Sequence, residues 1–497
     1  MGVQAGLVHQ QEVATPMSAI GSILSNDGAL QALNSIRNTS NSIGNLETQL
    51  SSGKKINSPA DNPAGYITAE GFTSQLNGLT QALSNANQGV SLLQTAEGAI
   101  NQQTSLLQKM NSIAVQASNG TQTPSEAQSL QNVIGQLNSQ VNTIANQAQF
   151  NNINLLDGTF SGVDFQVGAN NGQTISLSIA GTQASSLGMH ASQVATGTGA
   201  VYNGTDSGVL ATGSAISGAF SGSSVAINGS NGTASVSVSA KESAASIASS
   251  VNKLTSKTNV AAQARTQMTF SVSGSNFSFT LGNGTAASQT NGVNISATSV
   301  NGLVNAINNH TATTGVTAKT DASGNLILTQ SQGKNISFTN VTSGSLTNSG
   351  TTITGSSGSA GSALIQGLVQ FQSDQGYTLG SAGNIGLQST TKLDALSNIN
   401  VSTTSGAQKA INVIKYALQG LGAEGGKLGA VQQRLQANIN NNQTASQNLN
   451  SARSVVQDAN IPQVSQNLTQ QQILAQAGIS ALKSSTTLQQ QYQRLLP

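Results

Sequence analysis

Apolar heptads stand at both ends of this 497-residue chain and are missing from its middle, and that arrangement limits the available folds more than any other feature. The first stripe runs Leu33, Ile36, Ser40, Ile43, Leu46 (or Glu47) and Leu50. A longer one runs Phe72, Leu76, Leu79, Leu83, Ala86, Val90, Leu93, Ala96 (or Glu97) and Ile100, then with polar gaps through Leu107 toward Ala114. Its steps of four and three approach the roughly 3.5-residue period of a coiled-coil seam. A helix of about 45 residues would be about 65 Å long, more than ordinary globular helices. Thr123-Pro124-Ser125-Glu126 announces a third helix, with a cap, a proline at the first helical position and a glutamate able to bond back. Ala127, Leu130, Ile134, Leu137, Val141, Ile144 and Ala148 carry its stripe.

The other end answers in kind. Ala407, Ile411, Ile414, Leu418, Leu421, Leu428, Leu435 and Ile439 form one run, with Leu449 in step beyond a polar gap at Asn442. Ile473, Leu474, Ala477, Ala481, Leu482 and Leu488 mark a last amphipathic helix, followed by Leu495 and Leu496. Chain ends usually fray, so this apolar face needs a cover. Taken alone, such stripes most often form the core of a monomeric bundle. Here the partners must meet across roughly 200 intervening residues, which brings the two ends of the chain together.

Between about 165 and 400 the texture changes. GVDFQVGANNGQTISLSIA (162–180) alternates like strands around an Asn-Gly turn, and SSVAINGSNGTASVSVSA (223–240) and TFSVSGSNFSFTLGNGT (269–285) read the same way. Gly- and Ser-rich links such as TGSSGSAGSA (354–363) surround them. An internal repeat is expected: Val251-Asn252, Thr255, Thr258 and Val260 match Ile307-Asn308, Thr311, Thr314 and Val316, each copy reading as strand, short helix, strand.

Composition removes several kinds of chemistry. Charged residues make up 7%, against roughly 25% in average proteins, and net charge is only +2. No basic stripe for nucleic acid is present; Lys54-Lys55 is too short. With no Cys, disulfides and thiolate metal sites are excluded. His9, His190 and His310 are far apart in sequence, and no HExxH occurs. Glycine-rich stretches lack the setting of a phosphate loop and read as turns. Asp61, in SPADNPAG, reads as a turn or helix cap rather than an acid or base. The expectation is a protein that is not an enzyme, with no catalytic, metal or cofactor site. No apolar run reaches the roughly 18 residues of a membrane span. The start lacks the basic-then-apolar layout of a signal peptide, so export would need another route.

LSSGKKINSPADNPAG, the long heptad helix, NANQGVSLLQTAEGAI and QAQFNNINLLDGTF (147–160) strongly resemble the N-terminal region of bacterial flagellins. LGAVQQRLQANINN (428–441), LNSARSVVQDAN (449–460) and QQILAQAGISAL (471–482) resemble its C-terminal region. The likeness covers about residues 17–180 and 400–497, in order, and the central segments resemble the insertion repeats of some flagellins and hook proteins.

The resemblance implies an α+β multidomain fold. Its N- and C-terminal helices pair as an antiparallel coiled coil or bundle, around a β-rich central variable insertion. It divides the chain into an extension 1–16, inner-tube parts 17–60 and 453–497, helical tube-wall parts 61–195 (with a β-hairpin) and 401–452, and an outer region 196–400. Inner-tube packing would fall to Leu33, Ile36, Ile43, Leu46, Leu50, Leu468, Ile473, Leu474, Leu482 and Leu488. Tube-wall packing would fall to Leu76, Leu79, Leu83, Val90, Leu93, Leu130, Ile134, Leu137, Val141, Ile414, Leu421, Leu428 and Leu435. The implied function is a self-polymerising subunit of the flagellar filament, the propeller for swimming, secreted through the flagellar type III channel and located outside the cell. Implied partners are many copies of the chain itself, the export apparatus with a chaperone at the C-terminal helix, and hook-associated and cap proteins. Neither nucleic acid nor a membrane span is implied. Two alternatives share these features: the hook–filament junction protein, and an adhesin displayed through the central region.

This sequence departs from the family in two places. The likeness begins near Met17, leaving GVQAGLVHQQEVATP as an unusual extension. LLQKMNSIAVQASNG (106–120) resembles the helix that innate immune receptors grip in many flagellins, with Leu107, Gln108, Lys109, Ser112, Ile113 and Gln116 in the patch. The family commonly has Arg where this chain has Lys109, and Glu where it has Ser112. Lys lacks the bidentate fork of Arg, so weak receptor activation is expected, unless this face serves protofilament packing alone. Few titrating groups also imply a filament that tolerates acid.

Overall fold

The computed structural model describes residues 27–194, 208–212, 220, 222–239, 242–285, 288–349, 351–354 and 361–495. The extension at 1–16 lies outside them. The helical ends and the β-rich centre expected from sequence are both present. The chain divides into two compact units. The first combines Met1–Asn87, Phe165–Ile175 and Leu435–Pro497; the second combines Gln88–Asp164 and Ser176–Arg434.

Long helices form where the heptads predict them: α1 (Asp27–Ser52), α2 (Pro63–Ala117), α3 (Pro124–Gln147), then, past four short central helices, α8 (Thr404–Gln457) and α9 (Ile461–Leu495). At 55 residues, α2 exceeds the length expected from its stripe, and α8 has 54 residues. The start of α3 is a complete capping box. The Thr123 hydroxyl accepts from the Glu126 N–H at 3.3 Å, and the Glu126 carboxylate accepts from the Thr123 N–H at 2.8 Å.

In the first unit, α1 and α9 lie antiparallel. Lys54 bridges Asp458 at one end, and Ile36 meets Gly478 well along both helices. Short backbone lacing joins the two elbows: the Lys55 N–H donates to Gln457 O at 2.8 Å and the Ala459 N–H to Gly53 O at 2.8 Å. Asp61 is a loop clamp, its carboxylate accepting from the N–H groups of Asn57 (2.9 Å) and Ser58 (2.8 Å). The helix cap is its neighbour Asn62, whose Oδ1 accepts from the Gly65 N–H at 2.9 Å. Those bonds stabilise the Asp61 carboxylate and hold its pKa below the ordinary value.

In the second unit the β-rich centre forms a thirteen-stranded sheet. Its longest strand, Ala261–Thr285, first pairs with Leu326–Gln330 and Gly361–Ser373, then with Ser288–Ala297 and Ile336–Asn348. Two apolar cores result. One gathers Ile227, Ile247, Val251 and Phe371. The other holds Phe270 and Phe279 edge-on to Phe338, at centroid distances of 6.2 and 5.3 Å.

Each core carries one copy of the sequence repeat. Helices α4 (Ala244–Asn252) and α5 (Thr255–Thr258) serve the first, and α6 (Val300–Asn309) and α7 (Thr311–Thr314) the second. The Asn252 carboxamide bonds both backbone groups of Ala262, and that of Asn308 both groups of Ala318. The Thr255 hydroxyl donates to Val260 O and the Thr311 hydroxyl to Val316 O. Matched side chains thus make matched bonds, each turning a short helix into the next strand.

Candidate assembly surface

Helix α9 has two apolar faces. Val464, Leu468, Ala475, Gly478 and Leu482 recur at steps of three, four and seven and are buried or half-buried, the spacing of one coiled-coil seam. Across from them on α1, Leu33, Ile36, Ile43 and Leu46 are half-buried, while Leu50 is exposed. The second face of α9 points outward. Ile473 is 61% exposed, Leu474 49% and Leu488 50%, and Ala477 and Ala481 are exposed beside them. Among the inner-tube residues expected from sequence, Ile473, Leu474 and Leu488 therefore stand on the open face. Leu468 and Leu482 stand in the seam. Leu30 on α1 and Val455 near the elbow add further exposed apolar surface.

The tube-wall positions divide between the units. In the first, Leu76 and Leu79 are buried, Leu83 is half-buried and Leu435 is buried. In the second, Leu93, Ile134, Val141, Ile414, Leu421 and Leu428 are buried, and Val90, Leu130 and Leu137 half-buried.

A row of carboxamides completes the bundle, and apolar periodicity could not reveal it. The Gln103 amide of α2 donates to the carbonyls of Val141 (3.1 Å) and Thr182 (3.2 Å). On α3, Gln131 clasps Ile399 O and the Val401 N–H, Asn138 donates to Leu396 O at 3.1 Å, and Asn142 accepts from the Ala184 N–H at 2.8 Å. In the first unit, Asn442 donates to Val167 O at 2.7 Å. The polar gap at Asn442 in the α8 stripe is thus a tie to irregular backbone. Such backbone must find partners when buried, and an amide on a helix face supplies them. Glu424, buried on α8, does the same by accepting from the Ala180 N–H at 3.0 Å while Lys427 pairs with it at 3.2 Å.

Among the described residues no cluster of His, Asp and Glu is placed to hold a metal ion, and no helix is long and apolar enough to cross a membrane. What the surface offers is a long, weakly charged apolar face next to a helix pair.

The chain is 30% identical to the B-type flagellin of Pseudomonas aeruginosa over 94% of its own length and 98% of that protein. The chain belongs to the bacterial flagellin family. The profile of the bacterial flagellin N-terminal helical region matches residues 23–161, and that of the C-terminal helical region matches 411–496. Flagellin B of Vibrio cholerae is 27% identical over 87% of this chain and 88% of that protein. The solved FliC of Burkholderia pseudomallei is 24% identical, covering 70% of this chain and 99% of that one, with a TM-score of 0.30.

The receptor-like patch of this flagellin lies on α2. Gln108, Lys109, Ser112 and Gln116 are exposed, Ile113 is half-buried, and Leu107 is buried in the bundle. Val115, beside them, is 52% exposed.

Proposed function

We propose that this chain is the structural subunit that self-polymerises into the bacterial flagellar filament, outside the cell, as the propeller for swimming. The observation that carries the reading is the second apolar face of α9, with Ile473, Leu474 and Leu488 exposed beside a seam already used within the chain. Contiguous exposed apolar surface on a soluble chain marks an interaction site. A second copy offers the same helices, and a repeated heterologous contact whose rotation does not close makes an open helical polymer. Residues 17–60 and 453–497 then form the inner tube, 61–195 and 401–452 the wall, and 196–400 the outer surface. Before assembly the exposed face needs a cover, which supports an export chaperone at the C-terminal helix and delivery through the flagellar export apparatus. Hook-associated and cap proteins bound the polymer at its ends. Lys109 and Ser112 on the exposed face of α2 support weak activation of innate receptors; full-strength signalling by purified monomer in a cell assay would reject that part.

Electron microscopy of the full chain beside a version lacking residues 471–497, each seeded with native filaments, tests the polymer. Filaments from the intact chain alone are expected. Equal polymerisation by both would remove the α9 face from the account, and failure of both would point to an accessory role.

A further inference from the structure

Asn-Gly occurs nine times in the chain. The dipeptide is chemically labile. A glycine nitrogen, with no β-carbon beside it, can attack the carboxamide carbon of the asparagine before it. The attack needs a side chain free to swing over its own backbone, a glycine N–H without a partner and a backbone free to turn. From the way the fold holds these pairs, we propose that the loop between α2 and α3 is a self-modifying site, at which Asn119 converts to aspartate or isoaspartate through Gly120.

Asn119 and Gly120 are exposed, and neither the Asn119 carboxamide nor the Gly120 N–H makes a hydrogen bond among the described residues. The loop is closed only by the Gln122 N–H on Asn119 O, at a long 3.4 Å. Elsewhere a condition fails. Asn77–Gly78 lies inside α2, within the helix ladder. The Gly302 N–H after Asn301 donates to Ser299 Oγ at 3.1 Å. Gly229 and Gly232, after Asn228 and Asn231, pair with each other across a hairpin. Asn283 is buried and Gly284 pairs with Gln289. Thr290 and Val293 pair with the long strand on either side of Asn291–Gly292. The turn at Asn171–Gly172 is laced by Gln173, whose N–H reaches Asn170 O at 3.4 Å and whose Oε1 accepts from the Asn170 N–H at 3.0 Å. Asn203 lies outside the described residues.

The conversion balances with water as its one co-reactant. The Gly120 nitrogen gives its proton to solvent and bonds to Asn119 Cγ. The Cγ–Nδ2 bond breaks, and the amide leaves as ammonia with a proton returned from solvent. Water then opens the cyclic imide, at the side-chain carbonyl to give aspartate or at the backbone carbonyl to give isoaspartate. Nothing is oxidised or reduced. Either product places a carboxylate just beyond Gln116 of the receptor-like patch and lowers the formal net charge of +2 by one.

Incubation of the full-length monomer in mildly alkaline buffer tests the proposal, with conversion read by peptide mapping in the mass spectrometer and by isoaspartate methyltransferase labelling. Asn119 should convert at least about tenfold faster than Asn77 and Asn301, a barrier difference of about 1.4 kcal/mol. In concentrated urea the three rates should converge, because unfolding frees every pair. Gly120→Ala should slow Asn119 about tenfold. Its β-carbon shields the nitrogen and meets nothing within 4 Å, so the fold is kept. Equal native rates at Asn119, Asn77 and Asn301 overturn the proposal, as does undiminished conversion in Gly120→Ala. Asn171 outpacing Asn119 would overturn it too.

Discussion

Ile36 and Gly478 approach so closely that a β-carbon added to Gly478 would stand 2.9 Å from Ile36 Cγ1. Here α1 sets an isoleucine knob over a residue of α9 with no side chain. Gly478→Ala gains roughly 1 kcal/mol of helix propensity. It also crowds the Cγ1 methylene of a β-branched side chain rather than a flexible tip, and overpacking costs about 1–3 kcal/mol. The α1–α9 pair should therefore weaken modestly in Gly478→Ala and severely in Gly478→Leu. Hydrogen exchange over 461–495 checks the order, and a leucine variant as protected as the parent would show that the contact gives way.

Leu474→Ser combined with Leu488→Ser alters only the outward face of α9. Both side chains are about half exposed, so monomer stability should stay within roughly 0.5 kcal/mol, as for most surface changes. Sedimentation of seeded samples should nonetheless show polymerisation lost. Intact filaments from the double variant would mean that this face is not an assembly contact.

Asn138 holds the Leu396 carbonyl from a buried position. Replacing it by Ala leaves that carbonyl only the long bond from the Ile399 N–H, at 3.4 Å, at a cost of about 1 kcal/mol. Urea unfolding followed by circular dichroism measures the change, and a neutral result would mean that water takes over the bond.

The two repeat copies predict paired energetics. Asn252 and Asn308 each bond both backbone groups of one strand residue at 2.7–3.0 Å. Asn252→Ala and Asn308→Ala should each destabilise by about 1–3 kcal/mol. In the double variant the two losses should add within about 0.5 kcal/mol, since the sites share no partners. A loss in one copy alone would separate sequence likeness from structural equivalence.

Acid should act in two steps. Burial lowers the pKa of His190 from 6.5, outweighing the opposing attraction of Asp374. A lowered histidine contributes stability that is full above pH 6.5 and declines as pH falls below it. Hydrogen bonds from Asn57 to Asp61, from Thr159 to Asp157 and from Asn325 to Asp321 lower those carboxyls from 3.8, so their contribution persists until pH drops below that value. Urea midpoints should fall slightly between pH 7.5 and 5 and steeply below about pH 4. His190→Gln should flatten the first step and leave the second. Major loss of stability near pH 5 in that variant would contradict this account and the acid tolerance suggested by low charge.

Much of the helical architecture was legible because a seam repeats. Ile414, Leu421 and Leu428 recur every seven residues, and burial of that one face is the force that forms the helix. Capping was legible at Thr123 for a local reason: all its partners lie within four residues. The repeat was legible through Asn252 and Asn308, because the bonds they make span ten residues in each copy. The carboxamide row was not, since the partners of Gln131 and Asn138 lie more than 250 residues away and a polar residue in a seam looks like a gap.

The sequence by itself determined that two helical ends must meet across a strand-rich centre, because their heptads need partners and the centre alternates in twos. Only the tertiary structure decided which face of α9 is used. Ile473, Leu474, Ala477, Ala481 and Leu488 and the Val464–Leu468–Ala475–Gly478–Leu482 line are both apolar enough to form a seam. Periodicity cannot rank two stripes on one helix. The choice fell to shape, where Gly478 lets Ile36 come close, and the bulkier Ile473 and Leu474 remain outside.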